Sequence, residues 1–224
     1  MLENKIAILL STYNPDTNLL RGQLASLKNQ DYMNFKLFIR DDGSSLDKLK
    51  EIEELTKECE MNVELFKGQN IGSKNSFISL ANQVNNFDFY MFCDQDDYWY
   101  SNKLTVFLKT IKSLDNSLSV LVFGDLQVTN SNSQIVDKSF WKYQKIDVNV
   151  INKLSSIIAH NPITGCSCMF NDSAKKTLMT NKFQLQHDHL LGILVVHNKG
   201  IILPISNITM NYIQHSSNQL GAIN

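Results

Sequence analysis

Phe87-Asp88-Phe89-Tyr90-Met91-Phe92-Cys93 runs straight into Asp94-Gln95-Asp96-Asp97. The first seven residues are almost continuously apolar and aromatic, the composition of a strand covered on both faces. The next four carry three carboxylates. A buried strand that delivers acids at its carboxyl end fits an open α/β sheet, where ligands settle outside the strand ends at the point where the strand order reverses.

Working outward from that strand, the chain before it alternates short apolar runs with helical patterns. Strands are predicted over 6–10, 35–39 and 62–66. Between them lie a helix over 18–29, with Leu19, Leu20, Leu24 and Leu27 in phase, and one over 46–60, with Leu46, Leu49, Ile52 and Leu55 opposite a charged face. A third helix over 73–84 leads into the strand over 87–93. This rhythm predicts βαβ units and a mostly parallel sheet flanked by helices. Beyond it, a helix over 102–114 and a strand over 119–123 continue the layers, and the pattern loosens through the polar residues 129–133. A strand over 165–170, helices over 172–179 and 188–197 and a strand over 208–213 complete the reading.

The 224 residues, 43% hydrophobic and with three prolines, suit one compact domain over 1–224. A net charge of -1 supplies no basic field for nucleic acid. Cys59, Cys93, Cys166 and Cys168 lack paired CxxC spacing, so reduced thiols are expected. The apolar run 6–10 is too short for a signal peptide. The stretch 190–205 is interrupted by His197, Asn198 and Lys199 and falls short of the roughly 20 apolar residues of a membrane span. A cytoplasmic protein is expected.

Three predicted strand ends carry polar clusters: Ser11-Thr12-Tyr13-Asn14, Asp41-Asp42-Gly43-Ser44 and Asp94-Gln95-Asp96-Asp97. Asp41 and Asp42 read either as a turn with a helix cap or as acceptors for the base or ribose of a nucleotide. The acids after 93 read either as a solvated loop or as a site where a hard divalent cation relieves their mutual repulsion. Mg²⁺ or Mn²⁺ there would bridge the protein to a diphosphate. No GxxxxGK[ST] and no GxGxxG follows the first strand, which disfavours kinases, P-loop ATPases and dinucleotide dehydrogenases.

Almost end to end, these motifs resemble glycosyltransferase family 2, of GT-A fold, and more narrowly its bacterial rhamnosyltransferase-like members. The resemblance implies a Rossmann-like, mostly parallel sheet in a single domain, with a nucleotide-sugar-binding half over about 1–100 and an acceptor-binding half over 101–224. It implies donor contacts at Thr12, Tyr13, Asn14, Asp41, Asp42, Asn70, Gly72, Asn75, Asp94 and Asp96. Asp94-Gln95-Asp96 stands where that family has its DxD element, with Asp96 on the metal and Asp97 a further acid beside it. Trp99 and Lys103 extend the similarity. Thr164-Gly165-Cys166-Ser167 resembles the acceptor-side loop, so Trp99, Gly165, Cys166 and His187 are expected near the acceptor. Read by itself, 164–167 is equally a turn entering a strand.

His187-Asp188 matches a Glu-Asp pair of the family. Asp188 is the implied general base, or simply a helix-start acid, and His187 replaces the usual glutamate. His215, in Tyr212-Ile213-Gln214-His215-Ser216-Ser217, resembles a late histidine of the metal shell, though a lone histidine is as readily structural. No QxxRW element of processive synthases occurs. The implied activity is inverting, metal-dependent, non-processive transfer of a sugar from a UDP- or dTDP-linked donor to a surface-glycan or lipid-linked saccharide, with peripheral contact at the inner membrane face. The other readings are a non-catalytic nucleotide-sugar or partner-binding domain of the same fold and a sugar nucleotidyltransferase. The latter wants a glycine-rich, basic signature that Ser11-Thr12-Tyr13-Asn14 lacks.

Overall fold

The computed structural model describes residues 4–178 and 185–215. In chain order the elements begin β1 (Ile6–Thr12), α1 (Thr17–Lys28), β2 (Phe35–Asp41), α2 (Leu46–Glu58), β3 (Val63–Lys67), α3 (Ser73–Gln83), β4 (Phe89–Cys93), β5 (Tyr98–Trp99), α4 (Lys103–Lys112) and β6 (Val120–Gly124). They continue with β7 (Gln127–Asn130), β8 (Ile135–Asp137), α5 (Phe140–Tyr143), α6 (Leu154–Ala159), β9 (Cys168–Asn171), α7 (Asp172–Leu178), α8 (His187–His197), β10 (Ile201–Ile205) and β11 (Met210–Gln214).

Seven strands form the central sheet in the order β10-β6-β9-β4-β1-β2-β3. All run the same way except β9, which is antiparallel to both β4 and β6. From β1 the chain builds outward through β2 and β3, then returns to place β4 on the other side of β1. The strand order therefore reverses between β1 and β4, and the carboxyl ends of these two strands face one crevice.

β4 is buried at every position. Its alternate residues feed two cores, Phe89, Met91 and Cys93 on one face and Tyr90 and Phe92 on the other. β1 divides the same way, with Ile6, Ile8 and Leu10 against Ala7 and Leu9. The first core is closed by Leu20, Leu24 and Leu27 of α1, Ile52 and Leu55 of α2 and Phe107 and Ile111 of α4. The second is closed by Phe77 and Leu80 of α3, Leu178 of α7 and Leu190, Leu191 and Val195 of α8. Local chemistry agrees: the Asp16 carboxylate caps α1 by accepting from Asn18 N and Leu19 N, at 2.8 and 3.1 Å.

A second sheet, β5-β11-β7-β8, lies beyond the crevice. β11 pairs antiparallel with β5, Met210 opposite Trp99. Since β5 follows the acids after β4, this pairing draws the distant residues 210–215 onto them.

Several expectations change. Residues 165–167 form a 3-10 turn, and the strand expected over 165–170 is β9 at Cys168–Asn171, because the turn carries Gly165 to the start of α8, where its N–H donates to Asp188. The polar run 129–133 belongs to the β7–β8 hairpin, whose register shifts at Val128/Thr129. β10 emerges from within the interrupted apolar stretch and pairs parallel with β6. The helix expected over 172–179 is α7 over Asp172–Leu178, and residue 179 lies outside the described residues. The four cysteines are free thiols. Among the described residues no helix is long and apolar enough to cross a membrane.

Candidate active site

A cavity of about 520 Å³ opens at the reversal of strand order. Its lining includes Thr12 and Tyr13 from the end of β1, Asp42 after β2, Asn70 and Gly72 before α3, Asp94 and Asp96 after β4, and Gly165, His187 and Asp188. The structure thus gathers ten of the expected positions around one space.

On the β1–β2 side the turn is tightly tied. Asp41 folds its carboxylate back onto Gly43 N and Ser44 N, at 3.2 and 3.1 Å, as the turn reading requires. Asp42 accepts from Ile71 N and Gly72 N, at 3.0 and 2.9 Å, and pairs with the buried guanidinium of Arg40. It therefore holds the 70–72 loop over the cavity. Gly43 has φ +82°, and a Cβ there would lie 2.6 Å from Asn70 N, so only glycine lets the two loops approach. Gln95 accepts from Tyr13 N at 2.9 Å and stitches β1 to β4 across the crevice, leaving Tyr13 46% exposed. Asn14 is spent on the turn, accepting from Ser45 N at 2.9 Å, and Asn75 donates to Ile71 O within its own helix start, also at 2.9 Å. Asp41, Asn14 and Asn75 line none of the cavity; they support those that do.

The acid cluster is electrostatically loaded. Burial and the charge of Asp96 push the Asp94 carboxyl up to about 7, with Asp188 adding to the effect. Burial raises Asp96 as well, against the pull of His215, whose Nε2 lies 2.9 Å from Asp96 Oδ2. Asp97 is pushed well above the carboxylate range by burial and by both neighbouring acids, and it accepts from Ile213 N at 3.3 Å. Cys166 also lies in this cluster, with a ligand atom near those of Asp94 and Asp97. Burial raises its thiol pKa, and its soft sulfur is a poor match for a hard cation. Oxygen donors at Asp94 and Asp96 with an imidazole at His215 suit Mn²⁺ or Mg²⁺, and a cation would relieve the repulsion that raises these acids. Ser216 and Ser217, which complete the late motif, lie outside the described residues.

Trp99 and Cys166 are each 1% exposed and belong to the core beneath the cavity. Lys103, fully buried, joins them by donating to Cys166 O at 2.7 Å with its ammonium 4.0 Å over the Trp99 ring. Burial lowers its pKa to about 8. These residues brace the 165–167 turn rather than face the cavity.

On the opposite wall Asp188 sits in the first turn of α8. Its Oδ2 accepts from Gly165 N at 3.0 Å and its Oδ1 from His189 N at 2.7 Å, so the carboxylate is oriented toward the turn and still lines the cavity. Phe140, Gln144, Ile146, His160, Asn161, Ile163 and Tyr212 complete this wall. Tyr212 belongs to the late motif quoted above, whereas the other six are not legible in the sequence, because the segment from α5 to the 165–167 turn has little periodicity to follow. The turn-forming Asn161-Pro162 pair was the one signal available there.

Residues 7–177 match the model for Glycosyl transferase family 2. The chain is 25% identical over 197 residues to UDP-Glc:alpha-D-GlcNAc-diphosphoundecaprenol beta-1,3-glucosyltransferase WfgD of Escherichia coli, covering 88% of this chain and 71% of that one. It is 27% identical over 232 aligned positions to dTDP-rhamnosyl transferase RfbG of Shigella flexneri, covering 95% and 74%. Among solved structures, S. aureus TarS 1-349 in complex with UDP-GlcNAc superposes with a TM-score of 0.67 at 17% identity, covering 96% of this chain and 60% of that one. Mannosyltransferase PcManGT from Pyrobaculum calidifontis, in complex with GDP-Man and Mn²⁺, gives a TM-score of 0.71 at 12% identity, covering 96% and 59%. The chain spans about 60% of these two solved chains. The likeness identifies the fold as GT-A.

Proposed function

Because the chain belongs to glycosyl transferase family 2, we propose that it moves one sugar from a nucleotide-diphosphate donor to a hydroxyl of a saccharide acceptor, with inversion at the anomeric carbon. The observation that carries this reading is the convergence, on one cavity at the strand-order reversal, of Asp94 and Asp96 from β4 and Asp188 from α8.

In this reading the donor's base and ribose lie along Tyr13, Asp42, Asn70 and Gly72. Asp96 and His215, with Asp94 beside them, hold a divalent cation, Mn²⁺ or Mg²⁺. An ion held by these residues would supply the positive charge that offsets a departing diphosphate. The acceptor enters past Gly165 and the α8 start. Asp188 takes the proton of the attacking hydroxyl on its carboxylate while the new C–O bond forms and the bond to the diphosphate breaks. The backbone N–H groups of Gly165 and His189 fix the carboxylate's orientation.

The two relatives bracket the donor: one name specifies UDP-Glc and the other dTDP-rhamnose. For this chain the donor is accordingly a UDP- or dTDP-linked hexose. The acceptor is a saccharide carried on a lipid diphosphate or a growing surface glycan, met in the cytoplasm at the inner face of the membrane.

The test is product formation from UDP-glucose and from dTDP-rhamnose, with Mn²⁺ and an N-acetylglucosaminyl diphospholipid acceptor, by wild-type protein and Asp188→Asn. The expected loss of turnover in the variant is about a hundred- to ten-thousandfold with donor affinity retained. Near-normal turnover would remove Asp188 from the base role, and donor bound but never transferred by wild type would favour a non-catalytic binding domain.

A further inference from the structure

His187 is 7% exposed, lines the cavity, and has no hydrogen-bond partner at either ring nitrogen. Its ring stacks on Phe77 at 4.2 Å and meets the edge of Phe92 at 4.6 Å between centroids. Beside it, a Cβ at position 165 would lie 2.7 Å from Nε2, so Gly165 leaves the imidazole its place. A side chain wanted only for packing would be apolar here, since two buried, unpaired polar atoms weaken the fold.

We infer that His187 reads a sugar hydroxyl: a ring nitrogen hydrogen-bonds one hydroxyl of a sugar lying on the cavity floor against Asp188. This deepens the transferase reading and rests on it. The chemistry selects the partner. A neutral imidazole offers one N–H donor and one lone pair, which complements a hydroxyl that both accepts and donates. A diphosphate oxygen only accepts, so it could meet the N–H but never the ring's lone pair, whereas a hydroxyl can meet either nitrogen. Burial lowers the imidazole pKa, against the pull of Asp188, and so keeps the ring neutral. The two aromatic rings and Gly165 leave the ring little freedom, so a hydroxyl out of register is refused rather than followed.

The hydroxyl belongs either to the transferred sugar or to the acceptor sugar, and one experiment separates them. Wild-type protein and the apolar variants H187F and H187M are assayed with Mn²⁺ for kcat/KM, using UDP-glucose and dTDP-rhamnose with an N-acetylglucosaminyl diphospholipid. Monodeoxy versions of each donor sugar and of the acceptor sugar are run alongside. We expect one hydroxyl whose removal lowers wild-type kcat/KM at least about tenfold and that of the variants less than about twofold, because a site built around a hydroxyl penalises its loss. Its location on donor or acceptor names the partner. Phenylalanine fills the same stacking space and methionine adapts to it, so either variant that keeps a cooperative thermal transition decides the matter. Discrimination at every position equal to wild type in a folded variant overturns the inference. Wild-type protein that forms no product from either donor overturns the transferase reading instead, and this inference with it.

Discussion

Asp42 is the residue on which the donor side turns. Its carboxylate takes the amides of Ile71 and Gly72 and pairs with Arg40, and both side chains of the pair are nearly inaccessible. Removing one partner of a buried pair strands the other charge, so Asp42→Ala should lower stability in urea by about 3–5 kcal/mol. A loss below about 1 kcal/mol would mean that water reaches Arg40. At His187 the pH dependence has a definite sign. Burial lowers its folded pKa below the unfolded value of about 6.5, so the unfolded chain binds the proton first. The histidine's contribution is therefore intact above that unfolded value and declines as pH falls through it. H187F should flatten this part of the wild-type stability profile between about pH 7 and 5, read by thermal denaturation. At this scale much was legible. Asp94, Asp96 and Asp188 announce themselves as acids at element ends. Asp41 and Asp42 are adjacent and alike in sequence, yet one ties its own turn and the other ties a distant loop. Only the approach of residues 70–72, allowed by Gly43, separates the two.

Among elements, β4 was readable because burial on both faces leaves an uninterrupted apolar run, and β1, α1, β2 and α2 because their periods of two and 3.6 are clean. The 165–167 turn was not, since Gly-Cys-Ser reads equally as strand or turn until α8 packs beside it. β5 and β11 are short, and their pairing is a matter of tertiary contact across more than a hundred residues that local patterning does not encode. The consequence is functional, because this pairing sets His215 against Asp96. β4 itself is a single buried wall between two cores. Met91 is fully buried there, and Met91→Ala should cost about 2–5 kcal/mol in chemical denaturation. A cost under about 1 kcal/mol would show that the first core can collapse around the gap.

For the molecule as a whole, a net charge of -1 conceals a strongly local field: Asp94 and Asp96 after β4 and Asp188 of α8 line one crevice, and burial raises the carboxyl pKa of Asp94 and Asp96. The fold sets the opening, since reversing the strand order between β1 and β4 directs both carboxyl ends to it, and the bond from Gly165 N to Asp188 brings the start of α8 to the same space. The central claim is that this opening binds a nucleotide-diphosphate sugar through a divalent cation. Its most direct test is the thermal midpoint of wild type and of Asp96→Ala with UDP-glucose, GDP-mannose and dTDP-rhamnose, in Mn²⁺ and in EDTA. A donor at a hundred times its Kd stabilises by about 2.7 kcal/mol, a rise of roughly 5–10 °C for a chain of this size. The account predicts that rise for at least one donor in Mn²⁺, with little or none in EDTA or in the variant. No rise with any donor, or a rise undiminished by EDTA, would contradict it.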